Sequence, residues 1–277
     1  MRIAQVAPLI EAVPPRLYGG TERVVSYLTE ELVRMGHDVT LFASGDSRTA
    51  ARLVAGVPQA LRLAGVHAAE PYHLLLADRA FELADEFDVI HFHLDYLHLP
   101  LAERASVPSV TTLHGRLDLA EVEAVFRRFR DAPLVSISDA QRRPLPFANW
   151  VATVHHGLPC GLYGFDERAE GYLAFLGRIS PEKGIDRAVE IARRAGVPLR
   201  IAAKVDRADR AYFEAHVARL LAQPGIEYVG EIGDADKGAF LGGAVGLLFP
   251  VDWPEPFGLV MIEAMACGTP VVAYRRG

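Results

Sequence analysis

Short apolar runs alternate along the whole chain with longer segments whose apolar residues recur every three or four positions. Runs of four to seven such residues, bounded by Gly, Pro, Asp or Ser, are typical of buried strands, whereas the 3.6-residue period is typical of helices. Strands are predicted at Arg2–Ala7, Asp38–Ala43, Asp88–His91, Ser109–Leu113, Leu134–Ser136, Val151–His155, Tyr172–Leu176, Leu199–Ala203, Glu227–Val229, Gly246–Phe249 and Pro270–Ala273. Helices are predicted at Thr21–Met35, His73–Glu86, Ala120–Arg130, a short segment from Asp139, Gly184–Ala195, Ala208–Gln223, Asp234–Leu241 and Gly258–Ala266. Regular alternation of this kind predicts an α/β protein with parallel sheets.

The segment His156–Glu170 interrupts the alternation, with three glycines and little periodicity, so we interpret it as a linker. It divides the 277 residues into two tandem Rossmann-like, doubly wound domains, residues 1–157 and 158–277. In such folds a ligand binds beside the carboxyl ends of the strands, which predicts a cleft that the two domains face.

Charge and composition exclude several classes of function. A net charge of −6 disfavours a nucleic-acid partner, which calls for a basic face. No apolar run approaches 18 residues, so no integral membrane segment is expected. The two cysteines, Cys160 and Cys267, make no disulfide or metal-binding pattern, and a cytoplasmic location is expected.

The segment 254–266 carries two carboxylates, Glu255 and Glu263, eight positions apart. A helix that begins near Gly258 turns both carboxylates towards one mouth, while its first backbone N–H groups face an anion. Hydroxyl-binding carboxylates beside an anion site fit a nucleotide sugar. The alternative for Glu263 is a solvated helical glutamate.

A second segment, 175–184, places two cations five residues apart where a buried strand ends. Arg178 offers a planar fork for phosphate oxygens and Lys183 a mobile point charge, so the pair suits a departing diphosphate. The alternative is a surface loop whose cations face solvent.

Together these motifs, Gly-Arg-x4-Lys-Gly and Glu-x7-Glu, resemble those of the retaining family 4 glycosyltransferases, the glycosyl transferases group 1 of GT-B fold. The resemblance runs from the Gly19-Gly20 pair to Pro270. It implies a donor-binding second domain, an acceptor-side first domain, and catalytic roles for Arg178, Lys183, Glu255 and His114.

The resemblance also implies roles for other positions. Glu255 would contact the donor sugar hydroxyls and Glu263 the ribose hydroxyls. The N–H groups of Phe257, Gly258 and Leu259 would face the sugar or its phosphate, Glu231 would lie near the nucleobase, and Gly19 and Gly20 would border the donor phosphates. A flexible loop before a capped helix is the alternative for the two glycines.

In the first domain, His114 lies at a strand end where the family carries a histidine close to the donor sugar; a structural histidine is the alternative. His93 and Asp95 would line the acceptor side. Their neighbours His91 and His98 admit a metal hypothesis, but no second ligand cluster accompanies them, so no metal is predicted.

The function implied is metal-independent, retaining transfer of a hexose from a nucleoside-diphosphate sugar, with a UDP-sugar favoured and no cofactor. The acceptor is a hydroxyl on a sugar, a lipid-linked group or a small molecule, and the basic cluster around Arg127 admits peripheral membrane contact. Family members continue past the last predicted strand, so the second domain is expected to be incomplete. The alternatives are a non-catalytic nucleotide-sugar-binding fragment and a GT-B sugar-nucleotide epimerase; a dehydrogenase lacks its G-x-G-x-x-G fingerprint.

Overall fold

The computed structural model describes residues 1–165 and 169–276 and divides into two compact units, Met1–His156 and Gly157–Gly277. Each unit is a parallel β-sheet with helices, which confirms the predicted α/β class. The two units are described separately below.

In the first unit the described residues form a seven-stranded sheet of order β3-β2-β1-β4-β5-β6-β7, parallel throughout. Its strands are β1 Arg2–Val6, β2 Asp38–Ser44, β3 Arg52–Val57, β4 Val89–Phe92, β5 Ser109–Thr112, β6 Leu134–Ser136 and β7 Trp150–Thr153. The helices are α1 Gly20–Arg34, α2 Glu70–Glu82, α3 Leu99–Ala102, α4 Ala120–Arg128 and α5 Asp139–Arg142.

Strand β3 was absent from the predicted elements. It is an edge strand, half exposed along most of its length, so it lacks the continuous apolar run of a central strand. It also contains Gly56, a residue that normally weakens a strand. The glycine gives Leu76 of α2 room to pack, because a Cβ at Gly56 would lie 2.4 Å from Leu76 Cδ1 and would displace that side chain.

In the second unit the described residues form a five-stranded parallel sheet of order β10-β9-β8-β11-β12. Its strands are β8 Tyr172–Arg178, β9 Leu199–Lys204, β10 Ile226–Gly230, β11 Ala244–Phe249 and β12 Val271–Ala273. The helices are α6 Ile185–Ala195, α7 Arg210–Tyr212, α8 Ala218–Leu221, α9 Asp234–Gly242 and α10 Leu259–Ala266, and a π-type turn at Phe213–Val217 joins α7 to α8.

Both faces of each sheet are covered by apolar side chains, as doubly wound sheets require. In the second unit, Phe175 of β8 packs with Ile185 and Val189 of α6 on one face. Its strand neighbour Ala174 packs on the other face with Leu241 of α9 and Ala264 of α10. The alternation of side chains along β8 therefore clamps the sheet between two helical layers.

The strand order places two switch points where ligands of such sheets bind. In the first sheet β1 lies between β2 and β4, and in the second β8 lies between β9 and β11, so the connections leave these central strands in opposite directions. At such points the loops diverge and open a crevice at the carboxyl ends of the strands. Those ends carry the candidate site residues.

Candidate functional site

The second unit holds its two candidate cations at the end of β8. Arg178 is the last residue of that strand, and Lys183 ends the single 3-10 turn Pro181–Lys183 that follows it. Gly184 comes next in the left-handed conformation, with φ +71°, and caps helix α6. A Cβ at this glycine would lie 2.5 Å from the Pro250 carbonyl oxygen. Only glycine therefore lets this loop bring Lys183 close to the chain that follows β11.

Lys183 is bound to Glu255. Its Nζ donates to both carboxylate oxygens, at 2.9 Å to Oε1 and 2.7 Å to Oε2. Both side chains are largely buried, 18% and 14% exposed, and the Lys183 ammonium lies 5.7 Å from the Trp253 ring centroid. The Coulomb attraction between two opposite charges is stronger at a partly buried position than at a solvent-exposed surface, because the effective dielectric constant is lower there. Two of the predicted site residues are thus in direct contact.

Arg178 lies among three carboxylates. It donates to Glu182 one turn ahead, and its Nη1 and Nε lie 3.7 Å from Asp206 and 3.5 Å from Asp209. Asp206 also pairs with Lys204 at 3.0 Å. Burial raises the pKa of the Asp209 carboxyl in spite of the attraction of Arg178. The guanidinium is therefore held at the strand end by groups that an anionic ligand can replace.

Glu263 takes part in a separate buried network. The side chain lies on α10 with 4% of its surface exposed, and its Oε1 accepts from Lys237 Nζ at 2.7 Å and from Tyr163 OH at 3.3 Å. Helix α10 begins at Leu259, directly after Gly258 at φ +84°. The structure thus gives the two glutamates different cationic partners, Lys183 for Glu255 and Lys237 for Glu263. The solvated alternative for Glu263 is wrong, since Glu263 is nearly fully buried.

The remaining donor-side candidates occupy loops. Phe257 and Gly258 precede α10, and Leu259 is its first residue. Glu231 follows β10 and is half buried. The stretch Asp234–Asp236 forms the first turn of α9, where the predicted helix begins, and Gly233 is its N-cap.

In the first unit, the Gly19-Gly20 pair marks the start of α1. Gly19 is buried, and a Cβ there would lie 2.7 Å from Pro15 Cβ, so the loop closes tightly on itself. Side chains from distant elements hold this loop: Val13 N–H donates to Ser47 Oγ at 2.9 Å, and Leu9 N–H to His73 Nε2 at 2.9 Å. These contacts tie the loop to two distant elements. Gly19 is the N-cap of α1, and Thr21 lies in the first turn of that helix.

The histidines of the first unit form a chain of contacts at the carboxyl ends of β1, β4 and β5. His93 Nδ1 lies 2.8 Å from His114 Nε2, and His114 Nδ1 lies 3.4 Å from His156 Nε2. His93 Nε2 lies 2.8 Å from the amide oxygen of Gln5, whose amide nitrogen lies 3.3 Å from His91 Nδ1. His91 Nε2 in turn lies 2.7 Å from Thr112 Oγ1. His114 is therefore bound through its side chain on both ring nitrogens.

The backbone around His114 is held as well. The side-chain amide of Gln141, on α5, donates to the carbonyl oxygens of Leu113 and Gly115, on either side of His114. Asp95, the other acceptor-side candidate, lies in an exposed turn after β4 with φ +51°.

Burial keeps this histidine cluster uncharged. It lowers the pKa of His91 and of His156 to about 4 in each case. The pKa values of His93 and His114 are also lowered well below the usual value, by burial first and by neighbouring histidines second. At neutral pH each ring therefore has one N–H donor and one acceptor nitrogen.

Among the described residues, no group of three or more His, Cys, Asp or Glu side chains could hold a metal ion. The described part of the chain also contains no helix with the length and apolar character needed to cross a membrane.

Residues 18–157, half of the chain, match the family Glycosyltransferase Family 4, and residues 166–277 match Glycosyl transferases group 1. The chain belongs to glycosyltransferase family 4. This glycosyltransferase is 27% identical over 310 residues to a phosphatidyl-myo-inositol mannosyltransferase of Mycobacterium tuberculosis, covering 99% of this chain and 77% of that protein. It is 26% identical over 320 residues to a glycogen synthase of the same organism, covering 95% and 76%.

Solved structures show the same GT-B fold. Sucrose-phosphate synthase from Thermosynechococcus elongatus matches with a TM-score of 0.78 at 20% identity, covering all of the glycosyltransferase and 82% of that chain. Anabaena HepE in complex with UDP and glucose matches with a TM-score of 0.74 at 18% identity, covering 100% and 81%. The predictions of the family, of the GT-B fold and of an enzyme that transfers sugars are confirmed.

Several residues of the sites escaped the sequence prediction. Gln5 was treated as part of an apolar strand, although a polar side chain inside Ile-Ala-Gln-Val-Ala is itself a signal. Lys237 was assigned only to a helix turn, and Tyr163 to the linker. Asp206 precedes the predicted helix Ala208–Gln223 and Asp209 lies at its start, neither belongs to a motif, and only the fold brings them to Arg178.

Proposed function

We propose that this glycosyltransferase transfers a hexose from a UDP-sugar to a hydroxyl acceptor, with retention of the anomeric configuration and without a metal. The contact that carries the proposal is the Lys183–Glu255 ion pair, beside Arg178, at the switch point of the second sheet. This pair places the Lys183 ammonium, which suits a phosphate, next to the Glu255 carboxylate, which suits sugar hydroxyls.

In this mechanism Arg178 and Lys183 bind the donor diphosphate and stabilise the charge that grows on it as the sugar leaves. When the donor binds, the Glu255 carboxylate leaves Lys183 and accepts hydrogen bonds from the hydroxyls of the donor sugar. Glu263, held by Lys237, accepts hydrogen bonds from the ribose, and the backbone N–H groups of residues 257–259 face the sugar or its phosphate. Because two cations supply the positive charge, no metal is required.

The first unit binds the acceptor in this proposal. His114 hydrogen-bonds to the donor sugar, His93 and Asp95 border the acceptor, Gly19 and Gly20 border the donor phosphates, and Glu231 lies near the nucleobase. The acceptor hydroxyl attacks the face that the diphosphate leaves, and a phosphate oxygen takes its proton. The names of the relatives supply two acceptor classes to test, a phosphatidylinositol surface and an α-glucan.

Membrane contact through the basic cluster on α4 is part of the lipid alternative for the acceptor. Arg127 pairs there with Glu123 and Arg128 with Glu103, so the cluster carries less free charge than its sequence indicates. The two free cysteines, one exposed and one buried, support a reducing, cytoplasmic location.

Ligand binding tests the donor site. UDP, GDP and ADP are added separately to the protein, with and without EDTA, and the melting temperature is measured. The double variant Arg178→Ala/Lys183→Ala should lose the stabilisation by UDP, because a ligand raises the melting temperature only through its affinity for the folded state. The matched control Arg193→Ala/Arg194→Ala removes two exposed cations that pair with Glu190 on α6, and should keep the stabilisation.

Turnover tests the reaction. UDP-glucose, ADP-glucose and GDP-mannose are each incubated with phosphatidylinositol vesicles or with glycogen, and the anomeric proton of the product is read by NMR. A retained configuration in the presence of EDTA supports the proposal. An inverted product or a requirement for metal overturns the mechanism, isomerised donor without acceptor shows an epimerase, and nucleotide binding without turnover shows a non-catalytic binding protein.

A further inference from the structure

The hydrogen-bond chain in the first unit has a defined order of donors and acceptors, and one side-chain amide that joins its two arms sets that order. Gln5, 1% exposed near the carboxyl end of β1, turns its amide oxygen to His93 Nε2 at 2.8 Å and its amide nitrogen to His91 Nδ1 at 3.3 Å. An amide oxygen only accepts and an amide nitrogen only donates. His93 must therefore carry its proton on Nε2, and His91 must leave Nδ1 unprotonated.

The orientation of the Gln5 amide fixes the tautomers on both arms of the chain, the His93–His114 arm and the His91–Thr112 arm. With its proton on Nε2, His93 has only a lone pair on Nδ1, so it accepts from His114 Nε2 at 2.8 Å. His114 then has its proton on Nε2 and a lone pair on Nδ1. On the other arm, His91 has its proton on Nε2 and donates to Thr112 Oγ1 at 2.7 Å. With the Gln5 amide in this orientation, neutral rings satisfy every contact in the chain.

The contact of His114 with His156 is the longest in the chain. His114 Nδ1 is 3.4 Å from His156 Nε2, close to the limit for a hydrogen bond, whereas its Nε2 is tightly engaged. A ligand hydroxyl that takes the place of His156 would have to donate its proton to His114 Nδ1.

We propose that Gln5 is a positioning residue that holds His114 as the Nε2–H tautomer through His93, and so presents His114 Nδ1 as an acceptor for a hydroxyl of the sugar substrate. The placement of that hydroxyl rests on the proposed function; the tautomers do not. Turning the amide of Gln5 around would reverse both arms and make His114 Nδ1 a donor, so Gln5 decides which hydrogen bond the substrate is offered.

Three variants separate this role from simple packing. Gln5→Glu keeps an acceptor for His93 but loses the amide donor to His91, so it should preserve the His93 and His114 tautomers. Gln5→Met keeps the length of the side chain and removes both polar groups, so the tautomers of His93 and His114 should lose their single form. The control Thr111→Val removes the buried hydrogen bond to His98, outside the chain of contacts, and should leave both tautomers unchanged.

The direct measurement is a long-range 1H–15N spectrum of the protein labelled in histidine, with resonances assigned by single His→Gln variants. We expect His93 and His114 to be protonated on Nε2 in the wild type and in Gln5→Glu. Protonation of His93 on Nδ1 in the wild type, or unchanged tautomers in Gln5→Met, would overturn the proposal. If Gln5→Met does not fold, Gln5→Glu still tests the proposal. A carboxylate at position 5 only accepts hydrogen bonds, so this variant would change the tautomers of His93 and His114 if the chain ran in the opposite direction in the wild type.

Turnover shows whether the tautomer serves the reaction. With UDP-glucose as donor and water as acceptor, Gln5→Met should lower kcat about tenfold or more, with the KM for the donor changed less than about twofold, as expected when a group is misplaced in the transition state. Gln5→Glu should recover most of kcat. Altered tautomers with an unchanged kcat would overturn the positioning role. A wild type that turns over none of the three donors, UDP-glucose, ADP-glucose and GDP-mannose, would instead overturn the proposed function. The NMR spectra would still test the tautomers in that case.

Discussion

Lys237 and Glu263 form an ion pair in which each side chain is less than 10% exposed, with 2.7 Å between Nζ and Oε1. This pair lies between α9 and α10 on one face of the second sheet. A buried pair gains little over an apolar pair of similar size, but the loss of one partner leaves an uncompensated charge.

The first prediction follows from that asymmetry. Lys237→Met should lower the free energy of unfolding by about 3 kcal/mol, because the buried Glu263 carboxylate loses the cation that pairs with it and keeps the neutral hydroxyl of Tyr163. The double variant Lys237→Met/Glu263→Leu should recover most of the loss. Urea unfolding of the three proteins measures this, and a double variant less stable than Lys237→Met would contradict the argument.

The second prediction concerns the exchange of Glu255. Glu255→Gln removes the charge that holds Lys183, so free UDP should bind about three- to tenfold more tightly, equivalent to roughly 1 kcal/mol. Turnover of the UDP-sugar should fall in the same variant, because its hydroxyls lose a carboxylate acceptor. Calorimetric titration with UDP and a turnover assay measure the two effects. Weaker UDP binding in Glu255→Gln would show that Glu255 assists the diphosphate and does not compete with it.

The third prediction compares two glycines that share a left-handed conformation, Gly184 at φ +71° and Gly196 at φ +67°. Gly196→Ala meets no atom within 4 Å and should cost only the backbone strain, about 1 kcal/mol. Gly184→Ala adds a clash with the Pro250 carbonyl oxygen, so it should destabilise by about 2 kcal/mol more and also weaken UDP binding. Equal losses in the two variants would show that the loop after β8 adapts freely.

The fourth prediction is a loss of stability in mild acid. Burial lowers the pKa of His98 to about 3 and of His91 and His156 to about 4, against about 6.5 in the unfolded chain. Below pH 6.5 the unfolded state binds more protons, so the stability is complete above that pH and is lost as the pH falls towards 4. Each group contributes up to about 1 kcal/mol per pH unit in this window.

Urea unfolding of the first unit at pH 7, 6 and 5 measures this slope. His98→Gln should reduce it, whereas the exposed His216 of the second unit can be replaced by Gln as a control. A stability that does not change between pH 7 and 5 would show that the buried rings become protonated without cost.

The architecture could be predicted because most strands are buried on both faces and therefore stand out as apolar runs. Leu173–Leu176 is such a run, and its helical partner α6 repeats its apolar positions at 185, 188, 189 and 192. The edge strand β3 carries a different pattern, since it lies at the border of the described sheet and Gly56 makes room there for Leu76 of α2. Contacts between distant segments of this kind leave no periodic signal.

The candidate site was predictable only where its residues lie close together along the chain. Arg178 and Lys183 flank one loop, and Glu255 and Glu263 lie eight positions apart. Their partners come from elsewhere: Lys237 lies 26 residues before Glu263, and Gln5 lies 88 residues before His93. The order of the strands in each sheet decides which distant residues come into contact, and the spacing of residues along the chain does not indicate that order.

The carboxylates around Arg178 affect how a donor reaches the site. Arg178, Lys183 and Lys204 are each paired with at least one carboxylate, and the cluster also includes Glu182, Asp206, Asp209 and Glu255. Such a cluster produces little long-range attraction for an anion, because the opposite charges cancel beyond about 8–10 Å at physiological salt. For the proposed nucleotide-sugar donor we therefore expect an association rate that varies little with ionic strength, so that selection among nucleotides depends on their dissociation rates.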